Sequence, residues 1–419
     1  MARMDVPKAA KESGEIRRVV ESYFNPDAVR ETVVRIARTP CPQTELYERD
    51  PLILKAIQTF FRPAFEEAGC STWIDDYGNL IATQGEGGAG RKILLLSYAM
   101  AWTEGTMLNP WSGEVMDGAG FGVDGKVVWG RGGSEYHGSN AALIECARIV
   151  QRSGVHIPGQ ITYVISSAGH TSSSDPVYHL LHNDQLRADL CIMPGRPMIV
   201  LGNTGRLDLR VNVRGRSVHS GGELSVGINA IEGGLRAIER LQKIMPFPPR
   251  GEKDPDMGQG RLSLIGLASY PPSPGFHQGV GSGGHTLQNL MRILLDRRLV
   301  PGEDVEEAIR EIKEAIGDLS PWQVTYERGA LQYPTKHSKD APIIRTLADS
   351  FRTMLQREPL FGYVNETIDA GYINMQGIPT VMFGSMDMRF AHGDTDICQL
   401  NLVYDVTKVL AHLAIMNAQ

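Results

Sequence analysis

The stretch "RLDLRVNVRG", residues 206–215, alternates apolar and polar side chains with period two. That pattern belongs to an antiparallel strand with one buried face. It stands in the middle of a chain whose other apolar runs behave differently, so a single uniform layer cannot account for the sequence. Upstream, helical spacing covers 16–22, 28–37 and 52–68, and Asn25-Pro26-Asp27 reads as a break and cap between the first two. Short apolar runs at 72–75, 79–83, 92–96 and 161–167 read as strands, and 139–152 reads as a helix. Such alternation predicts an α/β layer with parallel strands at its centre.

Downstream of 215 the spacing predicts a helix over 228–244, a Pro/Gly-rich stretch over 246–285, the strand "RILLDRR" and a helix over 303–316. This reads as a small α+β insert. After Pro321 the α/β texture resumes, with a helix over 341–356, the strand "TVMFG" (380–384) and a closing helix over 397–416. The expectation is an α/β domain over 1–205 and 319–419, with a central, mostly parallel sheet, interrupted by a smaller α+β domain over 206–318. A length of 419 residues, beyond what one core usually serves, agrees with two domains.

The net charge of −6 gives no reason to expect nucleic acid or a membrane surface as partner. No apolar run approaches a membrane span, and the charged N-terminus lacks the apolar core of a secretion signal. Five cysteines, Cys41, Cys70, Cys146, Cys191 and Cys398, show no paired spacing and read as buried free thiols of a reducing compartment. The expected location is the cytoplasm. The run "GVGSGGH" (279–285) neither follows a strand nor opens a helix, so it is not a phosphate loop.

Four stretches carry polar groups at strand ends, where open α/β sheets form their ligand crevice. "WGRGGSEYHG" (129–138) offers Glu135, Tyr136 and His137, and "ISSAGHTSSS" (165–174) offers His170. "GRSVHSGGELSVGINAIEGG" (215–234) offers His219 and Asn229, and "FAHGDTD" (390–396) offers His392. Plainer roles exist for each: Glu135 suits a helix dipole, and Asp394 and Asp396 suit a cap on the last helix. One strand exit is conspicuously bare. Tyr98-Ala99-Met100-Ala101-Trp102 follows a buried run yet presents two alanines on one face.

The order of these motifs resembles the M20 family of metallohydrolases, the aminoacylase, carboxypeptidase and desuccinylase group. The pieces that carry the likeness are "NPWSGEVMDG…WGRGGSEYHG", "GRSVHSGG…GINAIEGG", "LLDRRLVPGED" and "GIPTVMFGSMDMRFAH". The resemblance implies a catalytic α/β domain for two metal ions and an inserted lid domain that forms a homodimer. The family's first metal motif, similar to GHMDTV, falls on Tyr98-Ala99-Met100-Ala101, so its ligand His and orienting Asp are missing. Its bridging Asp falls on Glu135, and its Glu-Glu pair falls on Gly169-His170, which removes the general base. Its next acidic ligand falls on Arg196 or Gly195, its last ligand on His392, and its lid His and Asn on His219 and Asn229.

Sorted by metal, the losses cluster. One ion would face Ala99, Glu135 and Arg196, whereas the other retains Glu135, His170 and His392, a set suited to one divalent ion such as Mn or Zn. The resemblance therefore implies a mononuclear hydrolase of a C–N bond, an amide or an activated aryl amine of the 5-nitroanthranilate type, in a small carboxylate-bearing molecule. His219 from the partner subunit would stabilise developing charge, with His137, Glu135 itself where it binds no metal, or Tyr136 as a hydrogen-bond donor in place of the missing base. Arg196 would hold an anionic group, and Asn229, Tyr98, Ala99, Ala101 and Trp102 would line the substrate. Two alternatives stand beside it: a non-catalytic or metal-free ligand-binding descendant, and a metal-independent lyase or isomerase using Glu135, His137 and His170.

Overall fold

A computed structural model describes residues 13–44, 46, 49–167, 174–183, 186–222, 226–250, 253–270 and 286–418. His170, Gly169 and the glycine run 279–285 lie outside the described residues. The chain divides into two compact units: Met1–Gly202 with Lys336–Tyr363 and Ile368–Gln419, and Asn203–Thr335 with Val364–Thr367.

The first unit is built on a nine-stranded mixed sheet. Its centre is parallel, because Lys92–Tyr98 runs alongside both Gln160–Ser166 and Leu190–Met193, and Thr380–Met382 runs parallel to Leu190–Met193. Leu80–Gly85 joins Gln160–Ser166 antiparallel and carries Ser71–Ile74 on its outer side. The central strands are buried on both faces, as in Lys92–Tyr98 where every residue after Lys92 is buried, which is why they read as continuous apolar runs. Helices Gly138–Ser153, Pro342–Leu355 and Leu400–Asn417 supply the main apolar cover. Asn25 starts Pro26–Ala37 by accepting the N–H groups of Asp27 and Ala28, as the Asn-Pro-Asp signal predicts.

A separate three-stranded antiparallel sheet joins Glu114–Asp117, Lys126–Trp129 and Ile397–Gln399. The closing helix expected from 397 therefore begins only at Leu400, because Ile397–Gln399 is a strand paired with Val127–Trp129. Its first residue has no side-chain cap, so neither Asp394 nor Asp396 serves that helix.

The second unit is a four-stranded antiparallel sheet in the order Arg261–Tyr270, Leu290–Leu299, Gly205–Arg214, Gln323–Gln332. Helices Ala230–Gln242 and Val305–Ile316 pack their apolar sides against it through Ala237, Leu241, Ile309 and Ile312. Two expectations need correction here. The stretch 246–285 contains a full strand, Arg261–Tyr270, paired along Leu290–Arg298. The unit also extends past 318, since Gln323–Gln332 pairs with Arg206–Arg214 and completes the sheet.

All five cysteines are buried and free. Among the described residues, no helix is long and apolar enough to cross a membrane.

Candidate functional site

Ala99, Ala101 and Arg196 follow central parallel strands, whereas Glu135, Tyr136 and His137 follow Lys126–Trp129 of the three-stranded sheet. At the exit of Lys92–Tyr98, Ala99 donates its N–H to Ser166 O (2.8 Å) and Ala101 donates to Cys41 O (2.9 Å). Both alanines are 1% exposed. Their methyl groups offer no ligand atom and are packed into the core, so the bare exit is a filled one.

Tyr98 is buried, and its hydroxyl donates to Asp369 Oδ2 (2.7 Å). Ser174 donates to the other oxygen of Asp369 (2.8 Å). Burial, then the Asp369 charge, holds the Tyr98 hydroxyl well above its ordinary range. The Tyr136 ring lies 5.0 Å from that of Tyr98 and is buried with it; burial, then the Glu135 charge, likewise keeps its phenol protonated. Asp369 was not legible as a site residue. It lies 271 positions from Tyr98 and carries no local motif.

Glu135 and His137 sit on a one-turn π-helix, Gly133–His137, that leads into Gly138–Ser153. Gly132 before it has φ +89, and a Cβ there would lie 2.8 Å from His137 Nε2 and 2.9 Å from the Ala101 Cβ, so only glycine fits. His137 is 1% exposed, and neither ring nitrogen has a hydrogen-bond partner among the described residues. Burial lowers its pKa from 6.5 to about 4, partly opposed by Glu135, so the ring is neutral at pH 7.

His392 lies 257 residues from Glu135, yet its Nε2 stands 3.1 Å from Glu135 Oε1. A carboxylate only accepts, so Nε2 carries the proton in this contact. Glu135 is buried, whereas the His392 side chain is 38% exposed and stacks on Trp102 at 4.0 Å with an interplanar angle of 7°. His392 holds φ +64, a left-handed conformation that costs a non-glycine residue roughly 1–2 kcal/mol.

Asp396, four residues on, accepts the N–H groups of Gly132 (2.8 Å) and Ser134 (2.8 Å), the opening of the Glu135 helix. Here the expected cap of the last helix is found on a different helix. Arg131 meets Asp396 at 3.4 Å and also donates to Gly393 O (2.7 Å) and Glu104 O (2.8 Å). Burial pushes the Asp396 carboxyl upward against the pull of those backbone N–H groups.

Two donors held by one tetrahedral ion at about 2.0–2.1 Å stand about 3.3 Å apart. The separation of Glu135 Oε1 and His392 Nε2, 3.1 Å, is close to that spacing, and a carboxylate with an imidazole suits Mn or Zn. The pair therefore fits a divalent ion. Among the described residues no group of three His, Cys, Asp or Glu side chains gathers as a metal cluster. The expected third donor, His170, lies outside them.

Arg196 follows Leu190–Met193, at the same sheet edge as Ala99, and is half-buried. Its carbonyl accepts from Gly384 (3.1 Å) and that of Gly195 from Met386 (2.9 Å).

In the second unit, His219 is exposed and its Nδ1 accepts the Gly221 N–H (3.1 Å), which leaves the proton of the neutral ring on Nε2. Asn229 caps Ala230–Gln242, with Oδ1 accepting from Ile231 (3.1 Å) and Nδ2 donating to Glu232 (3.3 Å). Its carbonyl also accepts from Trp322 Nε1 (2.7 Å), so the side chain expected to line the substrate anchors its own helix.

An α/β unit with a mixed sheet, interrupted by an α+β unit, is an M20-type architecture. Residues 201–324 match the family model described as the peptidase dimerisation domain. N-formyl-4-amino-5-aminomethyl-2-methylpyrimidine deformylase of Bacillus subtilis (strain 168) is 20% identical over 319 residues, 68% of this chain and 70% of that protein. Carboxypeptidase G2 of Pseudomonas sp. (strain RS-16) is 24% identical over 159 residues, 37% of this chain and 36% of that one. Among solved structures, a tripeptidase from Staphylococcus aureus gives a TM-score of 0.70 at 16% identity, covering 94% of this chain and 99% of that one. An M20 family metallo-carboxypeptidase from Sulfolobus solfataricus gives 0.72 at 14% identity, covering 93% and 98%. The chain thus carries a segment that matches the M20 peptidase dimerisation domain and shares its overall fold with M20 peptidases of known structure.

Proposed function

We propose that this protein is a mononuclear metal-dependent hydrolase of a C–N bond in a small carboxylate-bearing molecule. M20-type hydrolysis is the coarse reading that the family supports. The observation that carries the finer one is the asymmetry of the site. Ala99 and Ala101 are closed into the core, whereas Glu135 and His392 stand 3.1 Å apart at ligand spacing.

In this reading Glu135, His392 and His170 hold one divalent ion, Mn or Zn. Such an ion supplies electrophilic pull on the scissile group and makes water acidic enough to attack near neutral pH. The chain's own groups do the rest. Arg196 takes the substrate carboxylate as a fixed cation. His219 of the partner copy in a homodimer donates from Nε2 to the oxygen or nitrogen that gains negative charge. His137, neutral at pH 7, and Tyr136, protonated, supply a buried acceptor and donor beside Glu135. With glycine in place of the usual base, an activated substrate is favoured, an aryl amine or a labile amide, because losing a positioned base costs about 10²–10⁴-fold.

The test is metal content of protein purified without chelator, with His392→Ala beside it. Wild type should carry about one Mn or Zn per chain and the variant much less. Under about a fifth of an equivalent, with no uptake on adding either ion, would overturn the reading.

One observation favours a second reading. The Glu135–His392 contact is itself a satisfied ion pair or hydrogen bond, which suits a metal-free ligand-binding descendant. That protein would bind its ligand equally well in EDTA and after His392→Ala.

A further inference from the structure

Glu135 and His392 come from loops far apart in sequence, and the 3.1 Å between them has to be held by something other than themselves. The bonds around them converge on two residues. Asp396, 0% exposed, takes the Gly132 and Ser134 N–H groups with its two oxygens, and its carbonyl takes the Gly130 N–H (3.1 Å). The turn that starts the Glu135 helix is thus pinned at three points to the segment that follows His392. Arg131, 1% exposed, grips the opposite way. One nitrogen donates to Gly393 O, the peptide next to His392, and another to Glu104 O, in the loop that brings Trp102 over the His392 ring. The Arg131 N–H itself is held by Pro110 O (2.7 Å).

One feature shows that the clamp works against a resistance: His392 keeps φ +64, a conformation costly for a non-glycine residue, while Gly132 at φ +89 leaves no room for a Cβ and so fixes the residue type there. Both unusual residues sit beside an Arg131 or Asp396 bond. A pair of this kind joining two helices would serve only stability. Here every bond ends within five residues of Glu135 or His392, or on the loop bearing Trp102 and its continuation to Pro110.

We propose that Arg131 and Asp396 are the positioning pair of this site, setting the Glu135–His392 separation and the Trp102 stack without touching substrate. The proposal rests on Glu135 and His392 being the site, and on metal only through one of its two tests. Positioning partners of metal ligands typically change affinity by about 10–100-fold.

The experiment compares wild type with Asp396→Asn, Arg131→Lys and a control, Arg148→Met, which breaks another largely buried pair, Arg148–Glu145 (2.5 Å), outside the site. Deuterium uptake is followed by mass spectrometry, and Mn²⁺ and Zn²⁺ affinity by titration, on full-length protein. Asp396→Asn should raise uptake in peptides covering 129–138 and 390–396 while the sheet stays protected, and weaken metal binding about 10–100-fold. Arg131→Lys, which cannot reach both carbonyls, should move the same peptides less and serves if Asp396→Asn does not fold. Arg148→Met should leave both readouts at wild-type values. Unchanged uptake in the two segments, uptake rising across the whole unit, or the same pattern from Arg148→Met would overturn the proposal. If wild type binds neither metal, the mononuclear reading fails on its own, and uptake alone decides the clamp.

Discussion

Replacing His137 by Leu removes a group whose burial the fold opposes, and the consequence depends on pH. In the folded chain the His137 pKa is lowered from 6.5 to about 4. Between those values the unfolded chain binds a proton that the folded chain refuses, so stability rises with pH. The contribution is fully present above about pH 6.5 and is lost as pH falls towards 4. At 1.36 kcal/mol per pH unit the loss is about 2 kcal/mol at pH 5 and about 3 kcal/mol at pH 4. The ring is 1% exposed, so solvent screening does not reduce it. Neither ring nitrogen has a partner among the described residues, so an apolar side chain of similar size forfeits no hydrogen bond there. His137→Leu should match wild type within about 1 kcal/mol at pH 7.5 and exceed it by about 2 kcal/mol at pH 5. Urea unfolding of both proteins in EDTA at several pH values measures this. His337 and His412, whose pKa values are also lowered by burial, contribute equally to both and cancel in the comparison. Parallel pH curves for the two proteins would refute the reasoning.

Two further predictions concern the bare strand exit and the second unit. Ala99→His forces an imidazole into a packed, 1% exposed position; it should cost about 1–3 kcal/mol in thermal unfolding and lower turnover, and an unaffected protein would count against the packing argument. Asn229→Ala removes the cap of Ala230–Gln242 and should destabilise the protein by about 1 kcal/mol in urea, with Asn229→Asp restoring most of it.

Some of the molecule is legible because its determinants are local. The Asn25-Pro26-Asp27 signal names a helix start, and the cap is found there. The continuous apolar run through Leu96 marks a strand buried on both faces, and the alternation of 206–214 marks one with a single packed face. Gln323–Gln332 escaped because its side chains are mostly exposed or half-buried and its pattern is broken at Gly329, leaving little periodicity to read. Asp396 was misassigned for the opposite reason. A carboxylate just before a helix has the local look of a cap, but its partners lie 262 and 264 residues upstream.

The sequence by itself determined which residues are available for chemistry: Glu135, His137 and His392 present, and alanines where a histidine and an aspartate would be expected from the family. Residue identity is a property of the chain, and so is the presence of alanine at 99 and 101. Only the tertiary structure decided what those residues meet. It closed the two alanines into the core and brought Glu135 to 3.1 Å from His392 under the Trp102 ring. It also gave Asp396 and Arg131 the task of joining their loops. The physical reason is that a ligand set or a buried ion pair is a matter of angstroms between distant segments, and those distances follow from how the sheet and its loops pack, not from spacing along the chain.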